Sequence, residues 1–484
     1  MTRYEAVIGM EVHAQLVTRS KMFCGCDAEV YGAGPNTHVC PVCLGLPGAL
    51  PVINRRAVEE AIMVGLALNC PIAETAVFAR KNYFYPDLPK SYQISMYDFP
   101  LGEEGWIEFD DPESAEGVPK RIGITRVHLE EDTAKLAHAG DHSLVDFNRS
   151  GLPLLEIVTE PDIRSAEEAR RYLSKLQTLL RYLGVSSGDM EKGAMRCEAN
   201  VSLRPVETDG LGTKVEVKNL NSFRSVKLAL EYEVARQAAA LDEGGQVRQV
   251  TMGWDERRGR TVEQRSKEES DDYRYFPEPD LPPLHLSRSW VEEIASGMPE
   301  LPDVKALRFV VDYGLSADDV AVLVEDREVA VYFEAAAGAG RELGVSPKSM
   351  ANWLMGELFR LLKTASVEPG EARVTPGRLA ELVALVERGT ITSNSGKAVL
   401  AEMFVTGRSG ADIVRTQGLA QVSDEGELVE EVEEVLKANP EQVARYRDGK
   451  VTLLQWFVGQ VMKATRGKAN PQLVAALLRE RLEE

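Results

Sequence analysis

A change of hydrophobic period near residue 290 constrains this chain more than any other feature. Before it, apolar residues alternate in short runs: AVIGMEVHAQL (6–16), KRIGITRVHLEED (120–132), RCEANVSLR (196–204) and TKVEVKNLN (213–221). A period of two makes these half-buried strands. Between them lie helical runs, RRAVEEAIMVGLALN and SAEEARRYLSKLQTLLRYLG, the second opened by a capping box of Ser165 and Glu168. Strands and helices do not alternate regularly, so the pattern predicts α+β with an antiparallel sheet rather than a doubly wound fold. Prolines 277, 279, 282, 283, 299 and 302 then read as a linker. Beyond them the period is 3.6, with helices expected near 303–313, 316–343, 347–364, 375–388 and 393–405. A Gly/Ser break at Gly407–Gly410 suggests a further boundary. The expected domains are 1–292, an all-helical 293–407 and a helical tail 408–484.

Charge and cysteines narrow the class. No run of eighteen apolar residues is present, which argues against a membrane span. Glu5 and Glu11 interrupt the start of the chain, so it does not read as a secretory signal, and the cytoplasm is the expected compartment. The net charge is −20, which on its face disfavours nucleic acid. It is uneven, however: residues 441–484 hold eight Lys/Arg against five Asp/Glu, a local +3 that suits docking on RNA or an ordinary solvated helix face. Cys24, Cys26, Cys40 and Cys43 form two chelating pairs around a turn-rich loop, the pattern of a closed tetrahedral zinc site. Reduced structural thiols are the alternative. Cys70 and Cys197 read as small buried hydrophobes.

The polar positions of the strands carry the candidate chemistry. Alternation puts Glu11 and His13 on one face of the first strand, opposite Ile8, Met10 and Val12. In HLEED it puts Glu130 on the face of His128 and Glu131 on the other. Glu198, Asn200, Ser202 and Arg204 share a face, as do Lys214, Glu216 and Lys218. Carboxylates with an imidazole suit magnesium or manganese beside phosphates; a wetted sheet face is the plainer reading of each strand alone. No phosphate-binding loop of the G-x-x-x-x-G-K-[ST] type, dinucleotide fingerprint or kinase signature is present, so any use of ATP needs a sheet-based site. RKNYFYPDLPKSYQIS and ESDDYRYFPEPD interleave aromatics with Arg and Lys, which suits stacking a base or a loop anchored on the core.

The strings IGMEVHAQL, RKNYFYPDLPKSYQIS, VHLEEDTAKL, VDFNRSGLPLLEIVTEPD, RCEANVSLR, EVKNLNSF, DDYRYFPEPD and KANPQLV resemble the B subunit of the tRNA-dependent amidotransferases, from residue 4 nearly to the end. The resemblance implies a cradle similar to glutamine synthetase, followed by helical and tail domains that grip tRNA. It implies ATP-dependent phosphorylation of the side-chain carboxylate of Glu mischarged on tRNA(Gln), or Asp on tRNA(Asn), and then amidation by ammonia. The implied catalytic residues and magnesium ligands are Glu11, His13, Glu131, Glu198 and Glu216, with Glu130 beside them. Preferring Glu131 over Glu130 calls for a bulge in that strand. Glu198 stands where the family often has Asp. Lys81, Lys218, Asn219 and Arg274 are the implied phosphate or substrate contacts, and the four-cysteine zinc knuckle is complete. The implied partners are a glutaminase A subunit and a small C subunit in a heterotrimer, with a mischarging aminoacyl-tRNA synthetase as a further candidate and no membrane. A non-catalytic RNA-binding module with a structural zinc and a self-sufficient tRNA-modifying enzyme are the competing readings. A binding module needs no such set of acids, and no nucleophile–base pair stands out for the second.

Overall fold

A computed structural model describes residues 4–110, 118–206, 208, 210–266, 273–420, 425–465, 469 and 471–483. The chain divides into two compact units, Met1–Leu301 and Pro302–Glu484.

The first unit is a large twelve-stranded sheet with helices on its apolar face. Its elements are β1 (Tyr4–Gln15), α1 (Arg55–Ala67), β2 (Thr75–Asn82), β3 (Tyr92–Phe99), β4 (Gly102–Phe109), β5 (Lys120–Glu131), β6 (Lys135–Ala139), β7 (His142–Asp146) and β8 (Pro153–Thr159). They continue as α2 (Ala166–Leu183), β9 (Met195–Pro205), β10 (Val215–Leu220), α3 (Phe223–Asp242), β11 (Val250–Asp255), β12 (Arg260–Ser266), β13 (Phe276–Pro277), β14 (Leu284–His285) and α4 (Arg288–Ser296). The sheet order is β12-β11-β10-β9-β1-β8-β5-β3-β2-β13, with β4 on β5, β14 on β2, and β6–β7 a separate hairpin. The expected antiparallel sheet holds with one exception among the described residues: β10 and β11 run parallel. α3 supplies the crossover that a parallel pair requires.

β1 shows how the sequence sets the layers. Ile8, Met10, Val12 and Ala14 are buried, and their core also takes Ile62 of α1, Leu176 of α2 and Leu230 of α3. Gly9, Glu11, His13 and Gln15 lie on the opposite, polar face. The helices start where side chains cap them: Asn54, Ser165 and Ser222 accept from first-turn amides. The expected capping box is half formed, because the Glu168 carboxylate takes the Arg164 amide instead of that of Ser165.

The proline-rich stretch is built into this unit rather than forming a loose linker. β13 and β14 pair with β2, and buried Glu278 takes two bonds from Arg80, at 2.6 and 2.7 Å. Such a bidentate pair fixes geometry as well as charge.

The second unit is helical: α5 (Pro302–Tyr313), α6 (Ala317–Leu323), α7 (Arg327–Glu342), α8 (Pro347–Trp353), α9 (Phe359–Ala365), α10 (Pro376–Glu387), α11 (Ser393–Thr406), α12 (Gly410–Gln417), α13 (Glu425–Ala438), α14 (Pro440–Arg447), α15 (Leu453–Ala464) and α16 (Pro471–Glu483). The helix expected over 316–343 is two helices, because the Asp326 carboxylate accepts from the amides of Glu328 and Val329 and starts a new one. A π-helical turn, Leu354–Leu358, joins α8 to α9. One buried core runs through residues 309–414 and another through 428–482.

Candidate active site

Antiparallel register carries the polar face of β1 onto its neighbours. His13 lies opposite Arg196 on β9 and Glu156 on β8; Glu156 in turn lies opposite His128 on β5. Glu11 lies opposite Glu198 on β9, and Glu216 on β10 opposite Asn200. Residues directly across an antiparallel ladder share a face. Five strands thus contribute to one polar surface.

Its centre is tight. His13 Nε2 lies 3.4 Å from Glu156, 3.5 Å from Glu130 and 3.7 Å from Glu11, and His128 Nε2 lies 3.3 Å from the same Glu156 oxygen. Two overlapping triads, Glu11–His13–Glu156 and His128–Glu130–Glu156, each hold their ligand atoms within 4.8 Å of one another. Burial, with the charge of Glu156 next, pushes Glu11 up to about 7. Burial and then Glu156 also raise Glu130. Burial works to lower His13, but its hydrogen bond to Glu156 and the charges of Glu156, Glu130 and Glu11 outweigh that and push it up to about 9. Burial opposes ionisation of Glu156 too, yet His128 and His13 hold it well below the usual carboxylate range. Like charges at this spacing repel unless a proton or a cation sits among them. Lys81 supplies one cation: burial disfavours its charge, but Glu130 heads the groups that raise it.

The donor set fits a hard divalent ion. It offers carboxylate oxygens and imidazole nitrogens, and Glu130 Oε2 and His128 Nδ1 are buried with no hydrogen-bond partner among the described residues.

Of the expected residues, Glu11, His13 and Glu130 meet here. Glu198 and Glu216 lie further along the same face and are bridged by Lys218 Nζ, at 2.6 and 3.7 Å. The Glu216 carboxylate also accepts from Thr251 Oγ1 at 2.7 Å. Glu131 is placed elsewhere. It pairs with Lys90 at 2.6 Å, accepts from the Ile94 amide, and lines a cavity of about 230 Å³ with Cys24, Cys43 and Tyr92. The expected bulge is absent there: Glu130 and Glu131 stay in register with Leu154 and Pro153, and the slip in β5 falls at Ile124–Arg126. Asn219 turns away from the acids, with φ 62° and its amide donating to the Trp254 carbonyl. Arg274 is exposed at φ 44°.

Glu156 was not legible as a site residue, although one signal marks it: a single carboxylate within the apolar strand PLLEIVT. Asp132 and Arg196 complete a brace behind the site. Asp132 accepts from Arg196 and from Gln15, both at 2.8 Å, and lies 3.5 Å from Arg149.

The four expected cysteines converge, all sulfurs within 4.8 Å. The hydrogen bond with Cys24 lowers Cys43 to about 4, whereas burial raises Cys26 to about 11. A cluster that already favours one thiolate fits a soft dication. Cys70 and Cys197 are buried, as expected.

The first unit is a largely antiparallel sheet whose polar face gathers carboxylates and histidines. Residues 6–292 match the family described as GatB/GatE catalytic domain, and residues 331–482 match the GatB domain. The chain belongs to the family of amidotransferase B subunits. It is 54% identical over 482 residues to the aspartyl/glutamyl-tRNA(Asn/Gln) amidotransferase B subunit of Roseiflexus sp. (strain RS-1), covering 99% of this chain and 98% of that protein. It is 52% identical to the protein of the same name from Thermodesulfovibrio yellowstonii, over the full length of both. No helix among the described residues is long and apolar enough to cross a membrane.

Proposed function

We propose that this chain is the B subunit of an aspartyl/glutamyl-tRNA amidotransferase, and that its first unit activates the side-chain carboxylate of Glu on tRNA(Gln) or Asp on tRNA(Asn). The observation that carries the reading is the Glu11–His13–Glu130–Glu156 cluster with Lys81 beside it. A carboxylate resists ammonia because its carbon is electron-rich and oxide is a poor leaving group. Attack of the carboxylate oxygen on the γ-phosphorus of ATP breaks the bond to ADP and leaves an acyl phosphate. Ammonia then forms the new C–N bond, inorganic phosphate departs, and the nitrogen sheds a proton.

The first step brings two anions together and the second builds negative charge on the carbonyl oxygen and the departing phosphate, so positioning and charge neutralisation are the protein's main contribution. Glu11, His13, Glu130 and Glu156, with Glu198 and Glu216 along the same face, would hold magnesium, which would supply that neutralisation when bound. We assign Lys81 and Lys218 to the phosphate oxygens; as cations set beside the acids they support that reading. Glu131 with Lys90 belongs to the neighbouring cavity. Asn219 and Arg274 act through the backbone turns they occupy.

The wider reading follows from the family. The fold is a glutamine synthetase-like cradle over 1–292, a helical domain over 293–407 and a tRNA-binding tail over 408–484. Zinc sits on Cys24, Cys26, Cys40 and Cys43. A glutaminase A subunit and a C subunit complete a heterotrimer in the cytoplasm, and a mischarging synthetase is a further partner. The test is transamidation by the complete complex against both mischarged tRNAs. His13→Ala and Glu156→Gln are each expected to lower the ATP-dependent step about 100-fold or more, with glutamine hydrolysis by the partner retained. Unchanged ATP hydrolysis in both variants refutes the assignment.

A further inference from the structure

The polar face does not end at Glu130. Ser95 on β3 pairs with Glu130, and Ala79 on β2 pairs with Ser95, so the same face continues across both strands. The β2–β3 register slips between Ala79–Ser95 and Val77–Phe99, so alternation does not place Tyr97; its contact with Arg126, whose guanidinium lies 3.9 Å from Glu156, sets it beside the cluster. Its ring stacks on Tyr275 with centroids 4.5 Å apart and planes 15° from parallel. The Arg126 guanidinium lies 4.7 Å from the Tyr97 ring centre. Tyr273 meets Tyr275 edge-on at 6.1 Å, and Lys81 Nζ lies 5.1 Å from the Tyr273 ring.

This is not how the chain treats its core tyrosines. Tyr172 is fully buried, whereas Tyr97 is 36% exposed. The backbone also works to place the wall. Arg274 lies between Tyr273 and Tyr275 with φ 44°, a costly value for a long side chain. Asn82 holds that turn by donating to the carbonyls of Tyr273 and Arg274, at 3.1 and 2.8 Å. Strain retained beside a charged cluster fits a ligand-binding role.

We propose that Tyr97, Tyr275 and Arg126 form a platform that stacks an adenine ring. A flat, electron-rich base extends a tyrosine stack, and a guanidinium favours the same π faces. The inference rests on the amidation reading, in which two adenines reach the site: the base of ATP and the terminal adenosine that carries the amino acid on tRNA.

The test uses the complete complex. Tyr97→Leu is expected to raise KM for one substrate about tenfold with a smaller change in kcat, and Tyr97→Phe, which keeps the ring, to restore it. A rise in KM for ATP assigns the nucleotide. A rise for the mischarged tRNA, with weaker binding of uncharged tRNA but not of tRNA trimmed of its terminal adenosine, assigns the RNA. Tyr275→Leu removes the other ring and guards against misfolding of the first variant. Both KM values within twofold of the parent in folded Leu variants overturn the platform while amidation itself continues. Absence of ATP-dependent amidation in the parent complex overturns the amidation reading instead.

Discussion

Glu156 sits between two imidazoles, 3.4 Å from His13 and 3.3 Å from His128, and its charge is what keeps a proton on His13. That proton and a metal ion compete for the same nitrogen. His13 is pushed up to about 9 from an ordinary 6.5. Its protonation therefore stabilises the metal-free fold fully below about pH 6.5, and that contribution is lost as pH rises through about 9. Coordination needs the neutral ring, so metal binding must expel the proton. Apparent magnesium or manganese affinity should rise between pH 7 and 9, with Glu11, pushed up to about 7, adding a second proton at the lower end. Titration calorimetry in buffers of different ionisation enthalpy reads the release directly; binding at pH 7.5 with no proton set free contradicts this account. Glu11 and His13 were legible because β1 alternates cleanly. Glu156 was not, because β8 is buried on both faces and alternation carries no signal there. Glu131 shows the converse: periodicity alone placed it away from Glu130.

At the scale of elements, the cysteine loop holds what the sheet does not. Among the described residues, the β6–β7 hairpin is paired to no strand of the large sheet. Its base is instead tied to the loop between the cysteine pairs. Asn36 accepts from the Phe147 amide and donates to the Asp146 carboxylate and the Val145 carbonyl; Asn148 donates to the Gly34 carbonyl at 2.7 Å. Ser150 Oγ donates to the Cys43 carbonyl, and fully buried Lys21 donates to the Ser150 carbonyl at 2.8 Å. A loop built on the turn formers Gly32, Gly34, Pro35 and Asn36 has little core of its own, so the proposed closure by thiolates would fix it. Cys40→Ser should therefore lose about one equivalent of zinc and also lose amide-exchange protection near residues 145–148, with β1 and β9 unchanged. Full zinc content, or loss of zinc with protection intact, counts against the coupling. The cysteine spacing was legible; the hairpin's dependence on it was not, since those bonds span more than a hundred residues. Long-range partners also explain the proline-rich stretch, whose capture by β2 depends on Arg80 and Glu278.

For the whole molecule, the net charge of −20 conceals a division of labour. Under the proposed function, the carboxylates concentrated on the polar sheet face serve a cation, and RNA is met elsewhere or across that cation. The tail is the candidate surface. It has its own apolar core, built on Leu428, Val432, Phe457, Val461 and Leu478, so its exposed charges can be altered without disturbing that core. Arg445, Lys450 and Lys463 are exposed there; Arg466 and Lys468 lie outside the described residues. Changing Arg445, Lys450 and Lys463 to Glu takes residues 441–484 from +3 to −3. Each phosphate contact releases about one counterion, so binding weakens with salt in proportion to the contacts made. The triple variant should bind tRNA about tenfold or more weakly near physiological salt, and its slope of log affinity against log salt should be shallower by up to about 3. KM for ATP should stay within twofold, because the acids and Lys81 are untouched. Filter binding across a salt series separates the outcomes: a weaker affinity with an unchanged slope means a lost shape contact rather than lost phosphate contacts, and unchanged affinity removes the tail from the tRNA interface.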